Sequence, residues 1–500
     1  MSRKIIKLVL LSLIVFASCT KEDSMDKNLI VIEETQKLPL TPAQINAKID
    51  ESLNTNGSFN WREASSHLLW SAVVSGNNVV TVGFGNSKSN FERAKTANHV
   101  NIQNELFAIV MKYEAVTLDK ILIAADTHLN LVDIIVSKQE TIIALRRSKY
   151  IRYIEPADYN YLNVRNTENR SGAGSGCGYE STALASADYT TATPNAKVPW
   201  TFTQHNIPNA WNYSTGRGIT IGIIDTGISP NQSLLGANFN NGQSSGRTIQ
   251  KNGVFVDSIW PWSTTTDGVN DLCGHGTCMA SVATAPRNDR GLPVGVAYNA
   301  NLVTYRASAN VVLDSYQEQE AVKKAFTALG NNTSVKIISM SMGHVFSVGK
   351  IEDAIRYAYG KGKLIFCAAG SSTSFTTFAG VIFPAWMPET IAVTGVREGA
   401  TYQACDICHV GSKVDFTVIM ERASGSNVPI VSYYENQTDY VGGSSVATAT
   451  TAGIAALVWA KNPNWTRDQV LKKMRESASL YPNRNSSFGY GNVNALLAVQ

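Results

Sequence analysis

From about residue 199 onward, short apolar runs alternate with longer segments that have helical spacing. The runs in GITIGIIDTG, NLVTYRAS, VKIISMSM, KLIFCAAG and TIAVTGV predict buried strands, because they are apolar throughout and end at turn residues. Between them, DSYQEQEAVKKAFTALG predicts a helix that begins at an N-cap Asp314 and ends at a C-cap Gly330. Strands alternating with helices predict an α/β fold, a parallel sheet covered by helices on both faces.

The preceding residues, 41–160, predict a small α+β domain of their own. LNLVDIIVS and YIRYIEPADY are typical of strands, and KQETIIALRRS between them is typical of a short helix. Residues 161–198 are rich in Ser, Thr, Gly, Ala and Asn, which predicts an exposed linker of the kind that proteases cut.

The amino terminus has the pattern of an export signal. Arg3, Lys4 and Lys7 precede the apolar run LVLLSLIVF and the small residues that end at Cys19, a run too short for a comfortable membrane span. Residues 1–18 resemble a bacterial lipoprotein signal peptide and CTKEDSMD resembles a Bacteroidota-type surface-export signal, which implies lipid on Cys19, a tether at 19–40 and a place on the outer membrane. The alternative is an ordinary signal peptide with an incidental cysteine.

Composition narrows the choice of partners. The 500 residues are 44% hydrophobic and 16% charged, with a net charge of only +4, and without a basic stripe we expect no nucleic-acid partner. An exported protein can form disulfides, but sequence alone cannot pair the remaining cysteines: Cys177, Cys273, Cys278, Cys367, Cys405 and Cys408. For CDICH at 405–409 we expect a local disulfide or free thiols rather than a metal site, because no second pair has a matching spacing.

Three polar residues stand where strands end or helices begin. Asp225 ends the run IGIID, His275 lies between two glycines before a helix, and Ser445 follows GGS at the start of a helix of small residues. Each is ambiguous alone, since a strand-end Asp, a solvated His and a Ser N-cap are all common. Together, Ser445, His275 and Asp225 are the residue types of a nucleophile, its base and the group that orients the base.

These contexts, DTG, HGT and GSS, resemble the subtilisin-like serine proteases, and the resemblance covers roughly residues 199–500. SMSMG at 339–343, FPAWMPETIAVTGV at 383–396 and the closing GYGNVNALLAV resemble further family motifs in the right order. The resemblance implies that Ser445 is the nucleophile, His275 the general base and Asp225 the residue that orients it. It also implies substrate-binding roles for a strand edge and a neighbouring turn: Ser341, Met342, Gly343, Ala369 and Gly370.

The same resemblance implies a zymogen. Subtilisins carry an amino-terminal prodomain that assists folding and then plugs the cleft, and YIRYIEPADYNY resembles the end of one, so 41–160 is interpreted as the prodomain and 199–500 as the catalytic domain. We expect no cofactor. Structural calcium is frequent in the family, but Asp267 and Asp271 form no recognisable cation motif.

The chain departs from the family at several positions. In CAAGSS, Ser371 stands where the family has an asparagine that donates to the oxyanion, and removing that asparagine from subtilisin costs roughly 10²–10³ in rate; a neighbour such as Ser372 is a possible substitute. Ser444, Val446 and Ala449 replace the family's Thr, Met and Pro. Cys278 replaces a second histidine, and for Cys273 and Cys278 a disulfide or two buried thiols is a better interpretation than a redox-sensitive site.

Three functions are therefore compared. The leading hypothesis is a secreted, self-processing serine endopeptidase that hydrolyses peptide bonds in proteins or peptides through an acyl-enzyme. The alternative, motivated by Ser371, is a catalytically weak or inactive surface binding protein of the same fold. A lipase or esterase of the α/β-hydrolase type is disfavoured, because Ser445 lacks the G-x-S-x-G elbow and the order Asp, His, Ser differs from that fold's.

Overall fold

The computed structural model describes residues 38–89, 91–162, 177–371, 380–399 and 401–500. The export signal, Cys19, most of the tether, linker residues 163–176 and Ser372 lie outside the described residues. Within the described ranges, no helix combines the length and the apolar character needed to cross a membrane.

The amino-terminal region is a small α+β unit, as the sequence predicts. A four-stranded antiparallel sheet in the order β2-β3-β1-β4 packs against helices. Its elements are α1 (Pro42–Asn56), α2 (Ser66–Ser75), β1 (Val79–Phe84), α3 (Ala97–Glu114), α4 (Leu118–Ile121), β2 (Leu122–Ala125), β3 (Leu131–Ile135), α5 (Gln139–Arg147) and β4 (Ile151–Pro156). The predicted strand, helix and strand are β3, α5 and β4.

The second region opens with a short hairpin and two short helices before its main sheet. They are β5 (Tyr189–Ala192), β6 (Ala196–Pro199), α6 (Trp200–Gln204) and α7 (Ile207–Ala210). The sheet then has seven parallel strands in the order β13-β12-β11-β10-β7-β9-β8. These are β7 (Thr220–Asp225), β8 (Ile249–Gly253), β9 (Asn301–Arg306), β10 (Val335–Met340), β11 (Leu364–Ala368), β12 (Ile391–Arg397) and β13 (Val414–Glu421).

Helices cover both faces of this sheet, which confirms the predicted fold class. They are α8 (His275–Thr284), α9 (Tyr316–Asn331), α10 (Gly349–Gly360), α11 (Ser444–Lys461), α12 (Arg467–Glu476) and α13 (Ala495–Val499), with the hairpin β14 (Val428–Val431) and β15 (Thr438–Val441) before α11. One apolar core holds α8 and α11, and the other holds α9 and α10. Burial on both faces explains the largely apolar sequences of the inner strands β7, β10, β11 and β12, whereas the edge strand β8, IQKNG, is polar and only partly buried.

The caps of α9 differ from the prediction. Ser315, not Asp314, is the N-cap, and it forms a capping box with Glu318, while Asn332, not Gly330, is the C-cap. The capping box explains the shift, because the Glu318 carboxylate accepts the backbone N–H groups of both Asp314 and Ser315. Asp314 instead accepts the backbone N–H of Leu162 at 3.1 Å.

The amino-terminal sheet packs against α9 and α10 of the second region. Asp133 of β3 accepts hydrogen bonds from Tyr316 and Lys350, both at 2.9 Å. Val345 and Phe346, in the loop before α10, are buried in the amino-terminal core. The two regions therefore share a buried interface that is both apolar and charged.

Candidate active site

The carboxyl edge of the parallel sheet brings Asp225 and His275 together. Asp225 is the last residue of β7 and is 2% exposed, and His275 is the first residue of α8. The Nδ1 atom of His275 lies 2.7 Å from Oδ1 of Asp225. Asp225 Oδ1 also accepts the backbone N–H of Thr226 at 2.8 Å, which fixes the carboxylate. The pair has the geometry of a base and its orienting carboxylate.

The turn that presents His275 is held by Asp271, which the sequence did not single out as a site residue. Its fully buried carboxylate accepts the backbone N–H groups of Cys273, Gly274 and Thr277 at 2.7 to 2.9 Å. It also accepts the Thr226 hydroxyl at 2.9 Å, so the turn is bonded to the residue beside Asp225. A carboxylate four residues ahead of a histidine at a helix start was the available signal, because such residues satisfy the first N–H groups of helices.

Ser445 is the second residue of α11 and is only partly buried, whereas Ser444 beside it is buried. Gly443 ahead of them has φ +89°, a conformation that favours glycine. The chain therefore turns sharply into the helix, and Ser445 and His275 line the same cavity.

The electrostatics of His275 are set by its partner. Burial, the largest single influence, lowers the pKa of His275, but the charge and hydrogen bond of Asp225, together with the charge of Asp271, raise it above its ordinary value of 6.5. Oδ2 of Asp225 is buried without a hydrogen-bond partner in the described structure. The Asp225 carboxylate lies beside Nδ1 of His275, where it would stabilise the positive imidazolium that a general base becomes after taking a proton.

Two cavities meet at Ser445. The larger cavity has a volume of about 280 Å³ and is lined by His275, Cys278 and Ser371. Another part of its lining is the segment with Cys177, Gly178 and Glu180, which we call the wall. The smaller, about 40 Å³, is lined by Ser341, Met342 and Gly343 on one side and Ser444 on the other. We call them the leaving-side cavity and the acyl-side cavity; Ser445, Ser371 and Val311 line both.

Comparison with known proteins agrees with this geometry. The sequence model described as the subtilase family matches residues 216–491. The chain belongs to the subtilase family. It is 29% identical over 308 residues to subtilisin BL of Lederbergia lenta, covering 61% of this chain and 99% of that protein. It is also 29% identical over 311 residues to the M-protease of Shouchella clausii, covering 61% of this chain and 70% of that one.

A solved structure supports the fold. Fervidolysin from Fervidobacterium pennivorans, described as a keratinolytic enzyme related to subtilisin, aligns with a TM-score of 0.58 at 18% identity, over 85% of this chain and 61% of fervidolysin. With its family and its subtilisin relatives, this subtilase is a serine endopeptidase.

The Ser371 position is occupied differently from the family's asparagine. Its hydroxyl accepts the backbone N–H of Ser444 at 3.0 Å and lies 3.1 Å from the Ser444 hydroxyl, which in turn accepts the backbone N–H of Gly370 at 3.1 Å. A Cβ on Gly443 would lie 2.8 Å from the Ser371 hydroxyl oxygen. Ser371 thus binds the start of α11 and is turned toward Ser444.

The edge predicted to pair with substrate already has a partner in this subtilase. The Gly343 N–H donates to the Val311 carbonyl at 3.1 Å, and the Gly343 carbonyl accepts the Leu313 N–H at 3.0 Å. We call residues Val311–Leu313 the strap. Nearby, Ser341 donates through its hydroxyl to the Ser445 carbonyl at 3.3 Å, and Ala369 donates its N–H to Val393 at 2.8 Å.

Two disulfides lie next to the candidate site, one beside His275 and one beside Ser371. Cys273, two residues before His275, is joined to Cys177 and not to Cys278, so the interpretation of a Cys273–Cys278 bridge is wrong. Cys278 and Cys367 are free thiols, and burial raises the pKa of both, which argues against reactivity. The pair in CDICH forms the Cys405–Cys408 disulfide, and the backbone of Cys408 bridges to Ser371.

The two acids considered for calcium have protein partners. Asp267 pairs with the buried Arg306 guanidinium, and Asp271 binds the helix start described above. Among the described residues, no group of three His, Cys, Asp or Glu side chains is placed to hold a metal ion.

Proposed function

We propose that this subtilase is an exported, self-processing serine endopeptidase that hydrolyses peptide bonds through an acyl-enzyme on Ser445. The observation that carries the proposal is the Asp225–His275 pair, 2.7 Å apart, with His275 lining a cavity that Ser445 also lines. A serine hydroxyl is a poor nucleophile unless such a base takes its proton.

The proposed role of each nitrogen of His275 follows from its hydrogen bond with Asp225. Because Nδ1 of His275 is engaged by Asp225, Nε2 is the nitrogen that takes the Ser445 proton as Oγ attacks the substrate carbonyl. The imidazolium then gives this proton to the leaving amine as the carbon–nitrogen bond breaks. Water, deprotonated by the same nitrogen, hydrolyses the ester and returns Ser445.

The developing oxyanion lies at the amino-terminal end of α11. There the first backbone N–H groups of the helix, including that of Ser445, have no carbonyl partner within the helix, and the helix dipole favours negative charge. Ser371 is the nearest equivalent of the family's side-chain donor, and its bonds to Ser444 restrict what it supplies.

An extended substrate would add to the edge Ser341–Gly343 as a further strand, with Ala369 and Gly370 beside the scissile bond. Since the strap holds both backbone groups of Gly343, it must separate from this edge before a substrate pairs there.

Residues 41–160 act as the prodomain in this proposal. Support comes from their buried contacts with α10: Arg152 and Tyr153 both donate to Asp353, and the Glu155 carboxylate accepts the Gly349 N–H at 2.6 Å. Cleavage between 161 and 176, before Cys177, would separate the catalytic domain from a lipid on Cys19, whereas a cut after Cys177 would leave the two parts joined by the Cys177–Cys273 disulfide. Mature protein that runs at full precursor length in the membrane fraction would contradict this release.

The deciding experiment is labelling with a fluorophosphonate serine probe, read beside size on a gel. Wild-type protein should label and shorten, Ser445→Ala should do neither, and Ser444→Ala serves as the neighbouring control that still labels. If processed wild-type protein does not label, the alternative holds, a catalytically inactive subtilisin-fold binding protein at the cell surface.

A further inference from the structure

The leaving-side cavity carries negative charge beside the nucleophile. Glu180 and Asp439 both line it, and no lysine or arginine occurs among its described lining residues. The Glu180 carboxylate lies against Gly178, where a Cβ would be 2.0 Å from its Oε2, and a Cβ on Gly274 would lie 2.1 Å from the Gly178 carbonyl. Gly178 therefore packs on the turn that presents His275, and Glu180 and His275 line the same cavity.

The wall that carries Glu180 is fixed at both ends. The disulfide joins Cys177 to Cys273, and the Gly178 N–H donates to the Cys273 carbonyl at 2.9 Å. Beyond Glu180, Thr182 exchanges two hydrogen bonds with Thr438, both at 2.8 Å. The backbone on both sides of Glu180 is thus held beside Thr438 and Asp439, while the Glu180 side chain is exposed at the cavity.

The two acids influence each other in the cavity. Asp439 is half-buried, and burial raises its pKa above the ordinary value; hydrogen bonds from the Tyr440 backbone and the Thr182 side chain oppose this rise, and the charge of Glu180 adds to it. Two carboxylates that repel each other gain most from a cation placed between them.

The direction of the substrate defines what reaches this cavity. When the scissile carbonyl of a substrate lies at Ser445, the substrate residues before the cleaved bond run along Ser341–Gly343. The substrate residues after the cleaved bond then enter the leaving-side cavity on the opposite side of Ser445. This cavity is also where His275 delivers its proton to the leaving amine.

On the basis of the proposed function, we propose that Glu180 and Asp439 make the leaving-side cavity specific for lysine or arginine at the two positions that follow the cleaved bond. Cys278 and Val441 on its lining suit the methylene stem of such a side chain. The long stem lets the charged end reach the carboxylates without losing all of its water.

The test uses quenched peptides that share one sequence before the cleaved bond and carry Lys, Gln or Glu at each of the two positions after it. The protein is expressed from the full-length chain and purified after it has processed itself. The value of kcat/KM is then measured for each peptide. We expect wild type to favour Lys over Gln by roughly five- to tenfold, with Glu below Gln. The preference should shrink at about 1 M salt, where exposed charges are screened.

The variants Glu180→Gln, Asp439→Asn and their combination should lose the Lys-to-Gln ratio stepwise. Glu435→Gln is the matched control, because Glu435 follows β14 yet pairs with Arg290 and Ser233 outside this cavity; it should keep the ratio. Equal rates for Lys and Gln in wild type, or a ratio that survives in the double variant, would overturn the inference.

Failure of the proposed function gives a different result. Wild type that neither labels with the fluorophosphonate nor cleaves any peptide overturns both proposals. Wild type that labels and cleaves all three peptides equally overturns only the specificity of Glu180 and Asp439.

Discussion

The hydroxyl of Ser371 accepts a hydrogen bond from the backbone N–H of Ser444, at 3.0 Å. Ser371 thereby stabilises the helix start that carries Ser445, and its hydroxyl points toward that turn. The resemblance between CAAGSS and the family's motif predicts a longer amide side chain at this position in other members.

We therefore expect Ser371→Asn to raise kcat by about tenfold or more, with little change in KM. An amide reaches further than a hydroxyl, and a donor to the oxyanion acts mainly in the transition state. Steady-state kinetics on a peptide substrate measure this, with Ser371→Ala as the control that removes the hydroxyl without adding a donor. An unchanged kcat in a folded Ser371→Asn protein would show that the oxyanion is held by other groups.

A second prediction concerns Asp271. Replacing it with alanine leaves three buried backbone N–H groups and two hydroxyls without their acceptor. We expect a loss of about 3 kcal/mol or more in the free energy of unfolding, and a lower kcat, because the turn that aims His275 relaxes.

Thermal unfolding and peptide kinetics measure these two effects. Asp468→Asn, an exposed carboxylate on α12, should stay within about 0.5 kcal/mol of wild type. Equal stability of Asp271→Ala and Asp468→Asn would contradict the role given to Asp271.

The pH profile is a third prediction. Only neutral His275 takes the serine proton, and its pKa is raised above 6.5, so kcat/KM should rise with pH with a midpoint above 6.5. Asp225→Asn should lower that midpoint and reduce kcat by about 10⁴-fold. A wild-type midpoint at or below 6.5 would mean that burial, not Asp225, dominates at His275.

The contact between the amino-terminal region and α10 predicts a pH-dependent affinity. Burial, with the nearby Glu352 adding and Arg62 opposing, raises the pKa of Glu155 from 4.5 to about 7. The docked form then holds this proton more tightly than the free form, so docking is favoured at low pH and weakens as pH rises from 4.5 through about 7.

Size-exclusion chromatography of the processed complex at pH 5 and pH 8 measures this change. We expect an affinity loss of roughly tenfold or more at the higher pH. Glu155→Gln should flatten the dependence, whereas Glu63→Gln, an exposed neighbour of Arg62, should keep it. A complex equally stable at both values would remove Glu155 from the docking equilibrium.

Local sequence signals predicted much of the fold. Apolar runs such as that of β7, and the small residues of α11, determine their element by composition and period, so their bounds agree closely with the structure. The predicted N-cap of α9 was wrong by one residue. Asp314 and Ser315 are both favourable N-cap residues, and the capping box with Glu318 selects Ser315.

Long-range relationships could not be read from the sequence in the same way. The partner of Cys273 lies 96 residues away, within the segment predicted as a linker, while Cys278 is the nearer cysteine in sequence. Asp271 had no motif of its own, since its role depends on backbone N–H groups that converge only after the turn has folded. The pairing of Gly343 with Val311 depends on how two separate loops meet.

The strap makes substrate recognition an exchange of strands. A substrate that takes the place of Val311–Leu313 replaces two backbone hydrogen bonds with equivalent ones, so pairing alone adds little free energy. Discrimination between substrates then depends on their side chains and on how readily the target chain unfolds locally. An enzyme of this kind would cleave well-folded proteins more slowly than chains that unfold locally, which is a form of latency built into the catalytic region.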